Sequence, residues 1–338
     1  MAECKSYACG PSKRAHERAS IVTIRSTPAT PATPALFDLA EGILWDDRAR
    51  LVRWVDIREG RVLAGTLSGD EIAIVDDRSL GQTVGAVALA EDGGLLIAAA
   101  HGLATISPDG QVSLGPDLTP IVAPHGRSPW RLNDGIVDPQ GRFLVGTLAL
   151  DESPTVIDGE SSGPGETLLR ISPDGEVETL RTGMGMSNGL GFSPEGTTLY
   201  VIDTLSGTLS RHSYGECCAD GDFDVNEPWV VIIDDFPCYP DGMTVDAQGD
   251  LWVALWGGSR VVRYSCDGRY IDHVDVNASQ PTCAGFVGES LNRLAITSAR
   301  KGLDTITDDA GSIFVSDVEA TGRLEHRWMG STTAPYWT

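Results

Sequence analysis

The chain has no long apolar run: none of its 338 residues falls in a stretch near the roughly 20 apolar positions that a membrane-spanning helix needs. Residues 1–20 carry Lys5, Lys13, Arg14 and Arg18 but no apolar core, so no secretory leader is expected. Positive charge is scarce as well. With 25 Lys and Arg against 48 Asp and Glu, the formal net charge is −23, which argues against nucleic acid and anionic membrane as partners, since both call for a basic face. The seven cysteines are odd in number, Cys217 and Cys218 are adjacent, and no C-x-x-C pair or His-rich tract occurs. Neither a disulfide framework nor a zinc cluster is expected, and free thiols in a reducing cytoplasm are the default. Gly183-Met184-Gly185-Met186 is not followed by Gly-Lys-Ser/Thr, so it is no phosphate loop. His101, His125 and His212 have no Ser or Cys in a nucleophile-elbow context, which argues against a hydrolase triad. A sustained helical period is missing too, so no substantial helix is expected.

Glycine and turns, by contrast, are abundant. The chain holds 39 Gly, and short apolar runs alternate with polar turns, the pattern of β-hairpins. Six segments open with a glycine followed by an apolar run, at Gly42, Gly85, Gly135, Gly189, Gly242 and Gly285, spaced 43, 50, 54, 53 and 43 residues apart. Most continue through a polar turn, such as Asp138-Pro139-Gln140-Gly141 or Asp246-Ala247-Gln248-Gly249, into a second apolar run. About four strands per repeat make the blade of a propeller, and six blades close a ring. The sequence therefore predicts an all-β fold, a single six-bladed β-propeller over residues 36–338. The Pro/Thr-rich stretch from Thr27 to Pro34 makes residues 1–35 an expected extended tail.

In such a ring the inner strands converge on a central channel, and equivalent repeat positions meet there. The residues before the six glycines are Glu41, Val84, Asp134, Asn188, Asp241 and Ala284. Four are polar. Asn-Gly and Asp-Gly are also common turn pairs, so the pattern reads either as turns or as groups gathered on a shared ligand. Glu, Asn and Asp offer hard oxygen donors, which suit Ca²⁺, Mg²⁺ or Mn²⁺. Zn²⁺ or Fe²⁺ are further occupants the sequence leaves open. Trp252 and Trp256 alternate in one strand, with packing expected ahead of a pocket role.

Five segments together resemble the senescence-marker-protein/gluconolactonase family, which includes regucalcin, sugar lactonases and luciferin-regenerating enzyme. They are A-E-G-I-L-W-D (40–46), R-L-N-D-G-I-V-D-P-Q-G-R (131–142), S-N-G-L-G-F-S-P-E-G (187–196), Y-P-D-G-M-T-V-D-A-Q-G-D-L-W-V-A-L-W-G-G (239–258) and S-A-R-K-G-L-D (298–304). The resemblance implies one divalent cation in the central channel, Ca²⁺ favoured, on Glu41, Asn188 and Asp241. It implies Asp241 as general acid/base as well as ligand, and Arg131, Asn133 and Asp151 as substrate-binding residues. Asp151 stands where relatives carry Glu, one methylene longer. Asp134 and Asn133 compete for the pocket-facing place, with Asn133 favoured. The implied activity is hydrolysis of a sugar-acid lactone such as a glucono-, xylono- or arabinonolactone by a cytoplasmic enzyme, monomeric or a small homo-oligomer. A calcium-binding regulatory propeller of the regucalcin kind, or a phosphotriesterase or aryl-lactone hydrolase on the same ring, are the rival expectations.

Overall fold

The computed structural model describes residues 26–34, 36–123, 129–150, 165–215, 228–231, 238–303, 306, 309–335 and 337. Among these, six antiparallel sheets follow one another in chain order and form the six blades of a propeller. Their innermost strands are Ala40–Asp46, Val84–Leu89, Trp130–Val137, Ser187–Phe192, Tyr239–Val245 and Pro281–Val287. Each contains one of the six repeat glycines. The only helix among the described residues is the short Thr119–Val122, and no helix there is long and apolar enough to cross a membrane.

Four of the repeat glycines, Gly85, Gly189, Gly242 and Gly285, are fixed by how closely neighbouring blades approach. A Cβ on Gly85 would lie 2.4 Å from the Asn133 carbonyl oxygen of the next blade; on Gly189, 2.5 Å from that of Asp241; on Gly285, 2.3 Å from that of Ile43. Every inner strand also takes in one extra residue near its glycine, seen as a register shift against the second strand. Such bulges re-aim side chains at strand ends. Outward from the channel, the blades are held by apolar layers between sheets. Trp252 of blade 5, for example, is fully buried and meets Phe286 of blade 6 edge-on, their ring centroids 5.8 Å apart. Burial of one such side chain contributes about 1.5–3 kcal/mol.

The hairpin turns work as the sequence suggests. Asp138 is fully buried and accepts hydrogen bonds from the backbone N–H groups of Gln140 (2.9 Å) and Arg142 (2.8 Å). Gly141 closes the turn at φ +77°, a left-handed conformation that glycine adopts without strain.

The N-terminal stretch departs from expectation. The predicted tail through residue 35 is partly recruited into the ring. Ser26–Pro28 adds a parallel fifth strand to blade 5, and Thr30–Pro31 pairs with Phe314–Asp317 as the outer strand of blade 6. Ala32 then accepts from the Ile72 N–H of blade 1 (2.9 Å), so this segment ties three blades together. Proline at these edge positions is tolerated because an edge strand needs fewer N–H donors. At the other terminus, the residues after Asp317 run along the turn end of the ring. Gly322 donates to Leu291 (2.6 Å), Thr321 accepts from Ala247 (2.8 Å), and Met329 donates to Gly141 (3.0 Å). Trp328 pairs with Ala90, and the Thr332 hydroxyl donates to Asp92 at 2.8 Å. This belt carries Glu325 and His326 to the far end of the channel, where with Asp134 they line a small cavity of about 60 Å³.

Two outcomes test this architecture. Gly85→Ala pushes a methyl into immovable backbone, so its denaturation midpoint should correspond to a loss of about 1–3 kcal/mol. Gly69→Asn sits at a left-handed turn with nothing within 4 Å and should leave the midpoint near that of the parent. Burial, reinforced by Asp134, pushes the Glu325 carboxyl up to about 7 from 4.5. A raised carboxyl stabilises the fold while protonated, and that contribution is lost as pH rises from about 4.5 to about 7. Glu325→Gln should therefore raise the melting midpoint at pH 8 relative to the parent and give no gain at pH 4.

Candidate metal and substrate site

A cavity of about 550 Å³ opens at the end of the channel where the inner strands begin. Glu41 of blade 1, Asn188 of blade 4 and Asp241 of blade 5 all line it, each no more than 7% exposed. The extra residue in each inner strand lets these side chains leave the regular alternation of a strand and turn towards the axis. Asn188 Nδ2 donates to Asp241 Oδ1 and, at 3.2 Å, to the Thr204 hydroxyl. One Glu41 oxygen accepts from the Gly42 N–H at 2.9 Å.

The electrostatics of this floor are unfavourable to two free carboxylates. Burial, then the charges of Asp241 and Asp134, pushes Glu41 well above the usual carboxylate range, against the Gly42 hydrogen bond and the Arg131 charge. Burial also pushes Asp241 up to about 8; its Asn188 hydrogen bond opposes this, Asp134 adds to it, and Arg131 and Lys301 oppose it. Arg131 is itself buried, which lowers its guanidinium to about 10 while Glu41 and Asp241 hold it up. It is anchored by donating to the Leu132 carbonyl (2.9 Å) and to Asn133 Oδ1 (2.7 Å). Asn133 in turn donates from Nδ2 to the Ser187 carbonyl at 2.9 Å, so its amide spans blades 3 and 4 and holds the arginine in place.

Among the described residues no group of three or more His, Cys, Asp and Glu side chains gathers closely enough for a metal. The trio with one amide is a different case. Two buried carboxylates that repel each other, and an amide whose nitrogen is already engaged by Thr204 and Asp241, leave oxygen donors for a hard cation. The residues present fit such an ion.

Asn133, not Asp134, lines this cavity, and Asp134 lines the small one at the far end instead. The cause is the position of the bulge. In blade 3 the unpaired residues are Asn133 and Asp134, both before the glycine, whereas in blade 5 they are Asp241 and the glycine itself, Gly242. Counting back from the glycine therefore slips by one in blade 3. Asp134 accepts from the Gly135 N–H at 2.8 Å and is pushed up to about 6 by burial. Asp151 lies outside the described residues, as does His125. His101 and His212 serve the framework: His101 Nε2 is 2.8 Å from the Trp130 carbonyl and His212 Nε2 is 2.9 Å from the Ser210 hydroxyl.

Several wall residues escaped the sequence reading. Lys301, Tyr239, Thr204 and Met186 line the cavity, and so does Trp256, while its neighbour Trp252 packs between blades as expected. Lys301 stands inside the quoted segment 298–304, which was the available signal. Tyr239 opens the inner strand of blade 5, Met186 directly precedes that of blade 4, and neither carries a distinguishing pattern.

Because the two carboxylates repel when no cation is present, Asp241→Asn should melt at a higher temperature than the parent in excess chelator. If this trio holds Ca²⁺, the order should reverse at saturating Ca²⁺, because the variant lacks one of the two charged oxygen donors. Melting curves of both proteins under both conditions check this pair of signs.

The family described as SMP-30/Gluconolactonase/LRE-like region matches residues 39–300. The chain is 33% identical over 297 residues to the pentonolactonase of Haloferax volcanii, covering 86% of this chain and 94% of that protein. It is 33% identical over 299 residues to the L-arabinolactonase of Azospirillum brasilense, covering 87% and 93%. Among solved structures it is similar to a calcium-binding protein, regucalcin, from Agrobacterium tumefaciens, with a TM-score of 0.74 and 27% identity, covering 90% of this chain and 98% of that one.

Proposed function

Because the chain belongs to the SMP-30/gluconolactonase/LRE-like family, we propose that it hydrolyses a sugar-acid lactone with one divalent cation held by Glu41, Asn188 and Asp241. The observation that carries this reading is the meeting of those three oxygen-bearing side chains, from three separate blades, at the floor of a cavity sized for a small molecule. Ca²⁺ is the favoured ion, with Mn²⁺, Mg²⁺, Zn²⁺ and Fe²⁺ as alternatives to be tried. The substrate would be an aldonolactone of the glucono-, xylono- or arabinono- type, a class supported by the names of the two similar lactonases. Free thiols at Cys238 and Cys283 support a reducing, cytoplasmic setting.

When bound, the cation would supply Lewis acidity at the lactone carbonyl and offset the charge that builds on its oxygen. The chain's own residues divide the remaining work. Asp241 has one oxygen, Oδ1, engaged by Asn188, so Oδ2 is the atom to take a proton from the attacking water. It then returns that proton to the ring oxygen as the ring C–O bond breaks, giving the open hydroxy acid. Arg131, fixed by Asn133, presents a planar fork of donors for orienting the carbonyl or a ring hydroxyl. Leu148, Met186, Leu205 and Trp256 line the wall and limit the water around the reacting carbon. Asp151 remains a proposed contact to a sugar hydroxyl.

A second reading is a calcium-binding regulatory propeller, supported by the similarity to regucalcin. One experiment separates the two. A panel of aldonolactones is assayed with each divalent ion and with chelator. Hydrolysis should need the cation, and Asp241→Asn should lower kcat by about 10²–10⁴-fold, the usual range for loss of a general base. Absence of activity with every ion, alongside calorimetric Ca²⁺ binding, would leave the regulatory reading standing.

A further inference from the structure

Asparagine is an ambiguous ligand. One end of its side-chain amide is an acceptor that can face a cation, and the other carries two N–H donors that repel one. A half-turn of the amide exchanges them, so a channel that uses Asn188 must fix its rotation. The hydroxyl of Thr204 bears on that choice. It donates its single proton to the Pro240 carbonyl at 2.8 Å. Towards Asn188, 3.2 Å away, it therefore offers only lone pairs, which accept from Nδ2 and would repel Oδ1.

Thr204 is well placed to impose this. It is 7% exposed, and its backbone N–H is committed to the Met186 carbonyl at 3.1 Å. It follows the second strand of blade 4, while Pro240 directly precedes Asp241 on the inner strand of blade 5. One hydroxyl thus ties together the strands that carry Asn188 and Asp241. Asp241 also accepts from Asn188 Nδ2, but its carboxylate would be shared with the cation, so it is a poorer reference for the amide.

We infer that Thr204 is a positioning residue that orients the Asn188 amide oxygen into the channel and so sets the cation affinity of the site. This rests on the reading of Glu41, Asn188 and Asp241 as cation ligands. It is tested by calorimetric titration of the full chain with Ca²⁺ and, in parallel, Mn²⁺, without substrate. Thr204→Val keeps the shape but removes the acceptor and should weaken binding about 10- to 100-fold, with Thr204→Ser restoring most of it. Thr204→Ala carries the same expectation and decides the matter should the valine variant not fold. In an Asn188→Asp background either carboxylate oxygen can face the ion, so there Thr204→Val should cost less than about twofold, a coupling that mere destabilisation does not produce. Parental affinity in Thr204→Val or Thr204→Ala overturns the inference, as does an equal loss in both backgrounds. A parent that binds neither ion overturns the reading of the site itself, and with it this role for Thr204.

Discussion

The contact on which the rest of the molecule depends is the approach of one inner strand to the next at the repeat glycines. At Gly85, Gly189 and Gly285 a single methyl group would collide with a backbone carbonyl of the following blade. That proximity sets the radius of the channel. The ring can then place side chains from blades 1, 4 and 5 around one point, although they are separated by more than 140 residues of sequence between Glu41 and Asn188. In blades 1, 4 and 5 the residue that precedes the glycine stands at or beside the bulge, and its side chain lines the large cavity.

Convergence has an electrostatic cost. Glu41 and Asp241 are buried near each other and near Asp134, and each is pushed above the normal carboxylate range. Arg131 offsets part of this and is held for that purpose by Asn133 and the Leu132 carbonyl. A divalent ion that displaced the protons from these two carboxyls would offset the rest. The frame resists this strain by being closed on itself: residues 26–34 bridge blades 5, 6 and 1, and the belt after Asp317 links the turn ends of blades 2 to 6. Neither closure contributes a group to the large cavity. They make a fixed site possible without taking part in it.

The blades were legible because their signal is repeated and local. A glycine, an apolar run and a turn recur six times, and each recurrence became an inner strand. The closures were not legible, because Thr27–Pro34 reads as an extended spacer by composition, and only its pairing with blades far away in sequence makes it strand. The site was legible in blades 1, 4 and 5, where the residue before the glycine reaches the large cavity, and ambiguous in blade 3, where it does not. Asp134 aligns with Glu41, Asn188 and Asp241 in sequence, yet it faces the opposite end because the bulge of blade 3 falls one step earlier than that of blade 5. Thr204, Lys301 and Trp256 reach the cavity from strand ends and loops outside the repeat position, where no periodic pattern applies.

The same reasoning accounts for the polarity of a site built on a nearly symmetric ring. Six equivalent positions could have carried six ligands, but blades 2 and 6 contribute Val84 and Ala284, both fully buried and apolar. Blade 3 contributes an arginine and the amide that steadies it. The oxygen donors are thus confined to blades 1, 4 and 5, with the positive charge set on blade 3 and Lys301 added from the last blade. A symmetric collar of acids would trap an ion without preferring any direction of approach. This uneven collar instead faces a cavity that also holds guanidinium, ammonium and aromatic groups, so the proposed cation would be approached from one side, where an oxygen-rich small molecule could be gripped and turned.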